Sequence, residues 1–107
     1  MIYLASPYHH NDTVIMEERY NEAAAATVEL LKAGQIVYSP IVHNHHIAVN
    51  FNLPRDHKFW LEYDFGILRH CEKLIILQLK GWEKSLGVGA EIAFAKFTGI
   101  PISYMEW

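Results

Sequence analysis

Residues 74–104, LIILQLKGWEKSLGVGAEIAFAKFTGIPISY, read as strand, loop, helix and strand. The apolar run at 74–79 has the length and content of a strand buried on both faces. Residues 80–85 are a loop, residues 86–98 a helix, Gly99 its cap, and residues 100–104 a final strand. Inside the helix stands a lone carboxylate, Glu91, among alanines and large apolar residues. A charge on the inner side of a helix is costly to desolvate unless it has partners or a task. Gly87 lies one turn before it and Ala95 one turn after, so small neighbours leave room for a ligand beside the carboxylate.

The same alternation extends towards the N-terminus. Ile2–Ala5 is a short apolar strand closed by Ser6-Pro7. Asn11, Asp12 and Thr13 offer N-cap chemistry for a helix running to Ala33, with Ile15, Tyr20, Ala24, Val28 and Leu31 at near-helical spacing and Gly34 as its C-cap. Residues 35–39 form the next strand, which Pro40 ends. Residues 40–54, Pro40 followed by IVHNHHIAVNFNLP, read as a long polar loop of the kind that often carries function. A helix follows over residues 55–70, with Phe59, Trp60, Tyr63, Ile67 and Leu68 on one broad face. Strands alternating with helices predict a parallel sheet with helices on both faces. Ligands of such sheets collect at the carboxyl ends of the strands. That gathers residues 5–10, 39–46 and 80–85 with the start of the Glu91 helix. Spacing alone leaves open whether Asp64 reaches this cleft.

At 107 residues the chain is expected to be one domain, 1–107. A formal net charge of −3 offers no broad basic field for a nucleic-acid polymer or an anionic membrane. The lone Cys71 has no internal disulfide partner, which suits the cytoplasm. MIYLASPY lacks the basic and long apolar regions of a secretory leader, and no apolar run has membrane-spanning length.

The SLGVG turn that opens the last helix offers free N–H groups and a positive dipole end, a generic anion site to which Ser85 adds a hydroxyl. Its plainer reading is an N-cap followed by permissive glycines. Gly87 and Gly89 have neither Walker nor dinucleotide spacing. Glu91 could equally be a structural carboxylate satisfied by a tyrosine or histidine, and Asp64 a solvated helix residue. Two carboxylates in one cleft would supply a nucleophile and a general acid. His43, His45 and His46 invite a metal reading, but no cysteine or carboxylate cluster accompanies them. Trp82, beside the anion turn, is a candidate for stacking on a base. Tyr8, just past the first strand, is a candidate for touching ligand.

Three motifs carry a resemblance: YLASPY at the start, D-x7-E-K-L-I-I-L from Asp64, and S-L-G-V-G-A-E followed by A-x3-G-I-P. Together they resemble the nucleoside 2-deoxyribosyltransferase superfamily over nearly the whole chain. SLGVGxE is most similar to the branch that hydrolyses 2'-deoxynucleoside 5'-monophosphates. YLASPY, SPIVHNHH and GWEKS resemble a small bacterial and phage branch. The resemblance implies a three-layer flavodoxin- or Rossmann-like parallel sheet of about four strands. It implies Glu91 as the nucleophile at the anomeric carbon, Asp64 as the carboxylate that assists at the sugar or protonates the leaving base, and Tyr3 as the hydroxyl that orients the nucleophile. Ser85 with the N–H groups of Gly87 and Gly89 would hold a 5'-phosphate. A reference pKa near 4.3 would leave Glu91 ionised at neutral pH.

The chain departs from the monophosphate branch at Ser6, where that branch has Gly, and at His9, where it has Arg. It ends at Trp107, without the longer tail through which a partner subunit helps bind phosphate. His43 and His46 are candidates to read the base or to replace the missing cations. The expectation is therefore a metal-free, cofactor-free N-glycosidase or deoxyribosyltransferase acting on a nucleoside or nucleotide as a homo-oligomer, a dimer or tetramer. The alternatives are a non-catalytic nucleotide-binding module of the same fold and a metal-dependent hydrolase using the histidine segment.

Overall fold

A computed structural model describes residues 1–107. Four strands, β1 (Ile2–Ala5), β2 (Val37–Tyr38), β3 (Lys73–Gln78) and β4 (Ile102–Glu106), alternate with four helices, α1 (Thr13–Lys32), α2 (Pro40–Asn50), α3 (His57–Leu68) and α4 (Leu86–Thr98). All pairings are parallel and the strand order is β2-β1-β3-β4. Strand parity produces the three layers. Tyr3, Ala5, Leu74 and Ile76 turn to one face, where they pack with Leu68, Val88 and Ala95 of α3 and α4. Leu4, Ile75 and Leu77 turn to the other, where they meet Ala26 of α1. The chain leaves β1 for one side of the sheet and returns at β3 on the other side. The crevice therefore opens over the carboxyl ends of β1 and β3, where the strand order reverses.

Expectations about several elements are corrected, β2 among them, which spans Val37–Tyr38 rather than residues 35–39. Residues 40–50 are a helix, not a loop. Pro40 ends the strand and also occupies the first helical position, where its missing N–H costs nothing. The Ser39 hydroxyl accepts a hydrogen bond from the Val42 N–H at 3.2 Å, capping the new helix. The buried side of α1 is Met16, Ala23 and Ala26, while Val28 and Leu31 are exposed. Alanine lets the helix lie close to the sheet, and counting large residues misplaced that face. β4 begins two residues later than expected. The Ile100 N–H is taken by the Ala95 carbonyl (2.8 Å) in the cap of α4, and Pro101 has no N–H to give a ladder. On α3, Phe59 and Tyr63 face outwards, whereas Leu68 is buried and Asp64 half-buried.

Candidate active site

The β1–β3 crevice holds a cavity of about 420 Å³, a volume suited to a small organic ligand. Its walls come from the segment after β1 (Ser6, Tyr8), from α2 (Asn44, His45), from α3 (Trp60, Asp64), from the start of α4 (Ser85, Gly87) and from Glu91.

Glu91 is 7% exposed, and the Tyr3 hydroxyl, reaching across from β1, donates a hydrogen bond to its carboxylate. Glu91 is raised from an ordinary 4.5 to about 8: burial drives the rise, the Tyr3 bond opposes it, and the neighbouring Asp64 charge adds to it. Neutral-pH ionisation, the expectation from the reference value, is thus overturned by desolvation. Burial likewise lifts Asp64 to about 7, and its Oδ1 is buried with no hydrogen-bond partner. Tyr3 is pushed far upwards by burial and by Glu91, so it stays a hydroxyl that can donate. Helix α3 therefore does bring Asp64 to the cleft. The two carboxyl groups are coupled, and a proton taken up there belongs to the pair. The Ser6 hydroxyl, also in the cavity wall, is a second buried polar group without a partner. Such orphans in a concave site are groups that a ligand can satisfy.

At the anion turn, Ser85 is the N-cap of α4. Its hydroxyl accepts from the Val88 N–H at 3.2 Å and also faces the cavity. Gly87 lies in the first helical turn, before the ladder begins, and a Cβ there would meet the His57 Cβ at 3.4 Å. Gly89 does not serve as expected. Its N–H is spent on the Ser85 carbonyl at 3.0 Å, and it lies outside the cavity wall.

Three further candidates lie elsewhere. Trp82 sits in a short 3-10 turn, Trp82–Lys84, and packs onto the α3/α4 core with its ring 5.6 Å from Tyr104. Trp60 takes a place in the cavity wall instead, its indole N–H held by the Pro54 carbonyl at 2.9 Å. His43 lies against the rings of Tyr38 and Tyr63, and His46 bonds the Tyr20 hydroxyl at 2.8 Å. Both are exposed and neither lines the cavity. The physical reason is helical phase. On α2 the positions 41, 44, 45 and 48 share the inner side, so Asn44 and His45 are buried and lining while His43 and His46 turn away. No three His, Cys, Asp or Glu side chains converge on one point.

Residues that sequence reading passed over also line the cavity. The Arg19 guanidinium donates to the carbonyls of His9 (3.0 Å) and Tyr8 (3.4 Å), fixing the segment after β1. Arg55 and Lys84 line the wall without an ion pair. Reading residues 40–50 as a helix would have exposed His45; the two arginines have no local signal.

The match that bears on kinship covers the whole chain. Residues 1–107 match the family described as Domain of unknown function (DUF1937). The chain belongs to that family. Among curated proteins no match to this DUF1937 chain is found.

Proposed function

We propose that this DUF1937 protein cleaves the N-glycosidic bond of a nucleoside 5'-monophosphate or nucleoside, with Glu91 as nucleophile. The observation that carries the reading is one cavity lined by two carboxyl groups, the buried Glu91 and the half-buried Asp64, with the Tyr3 hydroxyl bound to the first. In the reaction, ionised Glu91 attacks the anomeric carbon as the bond to the base breaks, and protonated Asp64 donates to the leaving base. Water then attacks the glycosyl-enzyme and returns Glu91 to its carboxylate, with Asp64 now accepting the water proton. A second base in place of water gives transfer. Arg55, Lys84 and the first turn of α4 favour a substrate bearing an anion such as a 5'-phosphate. A cytoplasmic homo-oligomer belongs to the same proposal. Phe97, at 91% exposure, and Phe51, at 75%, are surfaces that a second copy would cover.

Incubation with a panel of nucleosides and their 5'-monophosphates, followed by chromatography for free base, tests this. Base release is expected to be abolished in Glu91→Gln and reduced by about 10²–10⁴-fold in Asp64→Asn. Its kcat/KM should be bell-shaped with a maximum between about 7 and about 8, because Glu91 must lose a proton while Asp64 keeps one. Binding without turnover selects a non-catalytic module instead.

A further inference from the structure

Helix α4 is apolar almost all round. Its only charged residues are Glu91, which is buried, and Lys96. A helix of that kind is ordinarily enclosed, yet one side of α4 faces away from the sheet. On that side Leu86, Gly89, Ala93 and Phe97 recur at helical spacing. All four are exposed, Leu86 by 72% and Phe97 by 91%.

Two glycines add an independent observation. Gly89 in α4 and Gly66 in α3 are both exposed, and neither has a positive φ. A Cβ at either would meet nothing within 4 Å. Glycine weakens a helix relative to alanine, and nothing within one copy of the chain makes use of these two. Phe65 stacks on Phe94 at 4.3 Å and holds α3 alongside α4, so both glycines belong to one outer two-helix face. Missing side chains on such a face let another backbone come close.

The α4 stripe is small in the middle and large at its ends. Leu86 and Phe97 lie about three turns apart, with Gly89 and Ala93 between them. That shape fits a copy of itself turned end for end. An antiparallel crossing about a two-fold axis between Ala90 and Ala93 sets Leu86 of each copy against the partner's Phe97, and such a contact closes at two copies. The small centre allows the close end of helix packing, about 8 Å between axes. The same crossing carries Lys96 towards the end of the partner's helix where Glu83 stands. Both are exposed, and neither has an ion pair within one chain. A helix built to lie on a lipid surface would be flanked by several Lys or Arg, and α4 has Lys96 alone.

We infer that a second copy of this chain docks on the outer face of α4, helix against helix about a two-fold axis, and that the partner's Phe97 completes the cavity rim at Leu86. Leu86 belongs to the stripe and also lines the cavity. The inference rests on the homo-oligomer of the proposed function and not on its chemistry.

Sedimentation velocity tests it without any substrate. At about 0.1 mM the wild-type chain should run at twice the 12.4 kDa of one copy. Ala93→Glu places like charges across the axis on an exposed helix position, and should run as a monomer with an unchanged circular dichroism spectrum. Ala93→Lys should do the same, and an equimolar mixture of the two variants should restore the dimer. Where base release is seen, KM should rise several-fold in the Ala93→Glu monomer and return in the mixture. A monomeric wild type overturns the inference, and its cosedimentation with phosphatidylglycerol vesicles would assign the face to a membrane instead. A dimer that survives Ala93→Glu, or monomers that fail to pair on mixing, overturn it too. A dimer split as described whose KM stays constant removes the partner's Phe97 from the rim. The same dimer without base release from any nucleotide sinks the glycosidase reading and leaves the interface standing.

Discussion

At Glu91, burial and the Tyr3 hydroxyl pull in opposite directions, and burial wins. The fold therefore favours the protonated carboxyl, and this has a consequence for stability. Below the ordinary value of 4.5 both folded and unfolded chains carry the proton, so nothing is lost. As pH rises from 4.5 to about 8, the unfolded chain releases its proton first and gains free energy that the folded chain forgoes. Thermal stability is expected to fall over that window and to level off above it. Glu91→Gln should flatten the slope and raise Tm at pH 8 by at least about 4 °C over wild type, measured by scanning calorimetry. An unchanged slope would mean that Glu91 is not desolvated as described. Asp64, lifted by the same cause, adds to the trend between its ordinary 3.8 and about 7.

Among the elements, α2 matters most to the site, because its inner side supplies Asn44 and His45. Its start rests on one side-chain cap, the Ser39 hydroxyl on the Val42 N–H. Ser39→Ala should cost about 1 kcal/mol, seen as a Tm lowered by roughly 4 °C, and should raise KM for the cleaved substrate more than it lowers kcat. This helix also marks where the sequence was hard to read. Its cap and proline follow a strand directly, so one residue, Pro40, both stops and starts structure. β1, β3 and α4 were legible because apolar runs and the terminal Gly99 leave one reading. Tyr3, Glu91 and Asp64 come together because parity and helix phase aim them at one crevice. His45 and His43 are two residues apart, and only the phase of an unforeseen helix decides which one is buried. Gly89 failed for a related reason: the helix ladder had already begun, and its N–H was consumed.

Across the whole molecule, a net charge of −3 coexists with Arg19, Arg55 and Lys84 around one cavity. An anionic ligand is therefore drawn to a local field that opposes the overall charge. Raising ionic strength from about 0.01 M to about 1 M shortens the screening length roughly ten-fold. KM for a 5'-monophosphate is expected to rise several-fold over that range, while KM for the matching nucleoside stays within about two-fold. Equal salt response for both would remove the phosphate from the reading. None of this charge arrangement is visible in the sequence, since Arg19 lies on α1 and Arg55 in the connection between α2 and α3, and only the fold brings them to one rim. No helix is long and apolar enough to cross a membrane.

The Tyr3–Glu91 bond joins positions 88 residues apart, the first strand to the last helix. A growing polypeptide cannot form it until α4 has been made and has emerged to meet β1. Any chemistry that needs this pair is withheld from chains still being made.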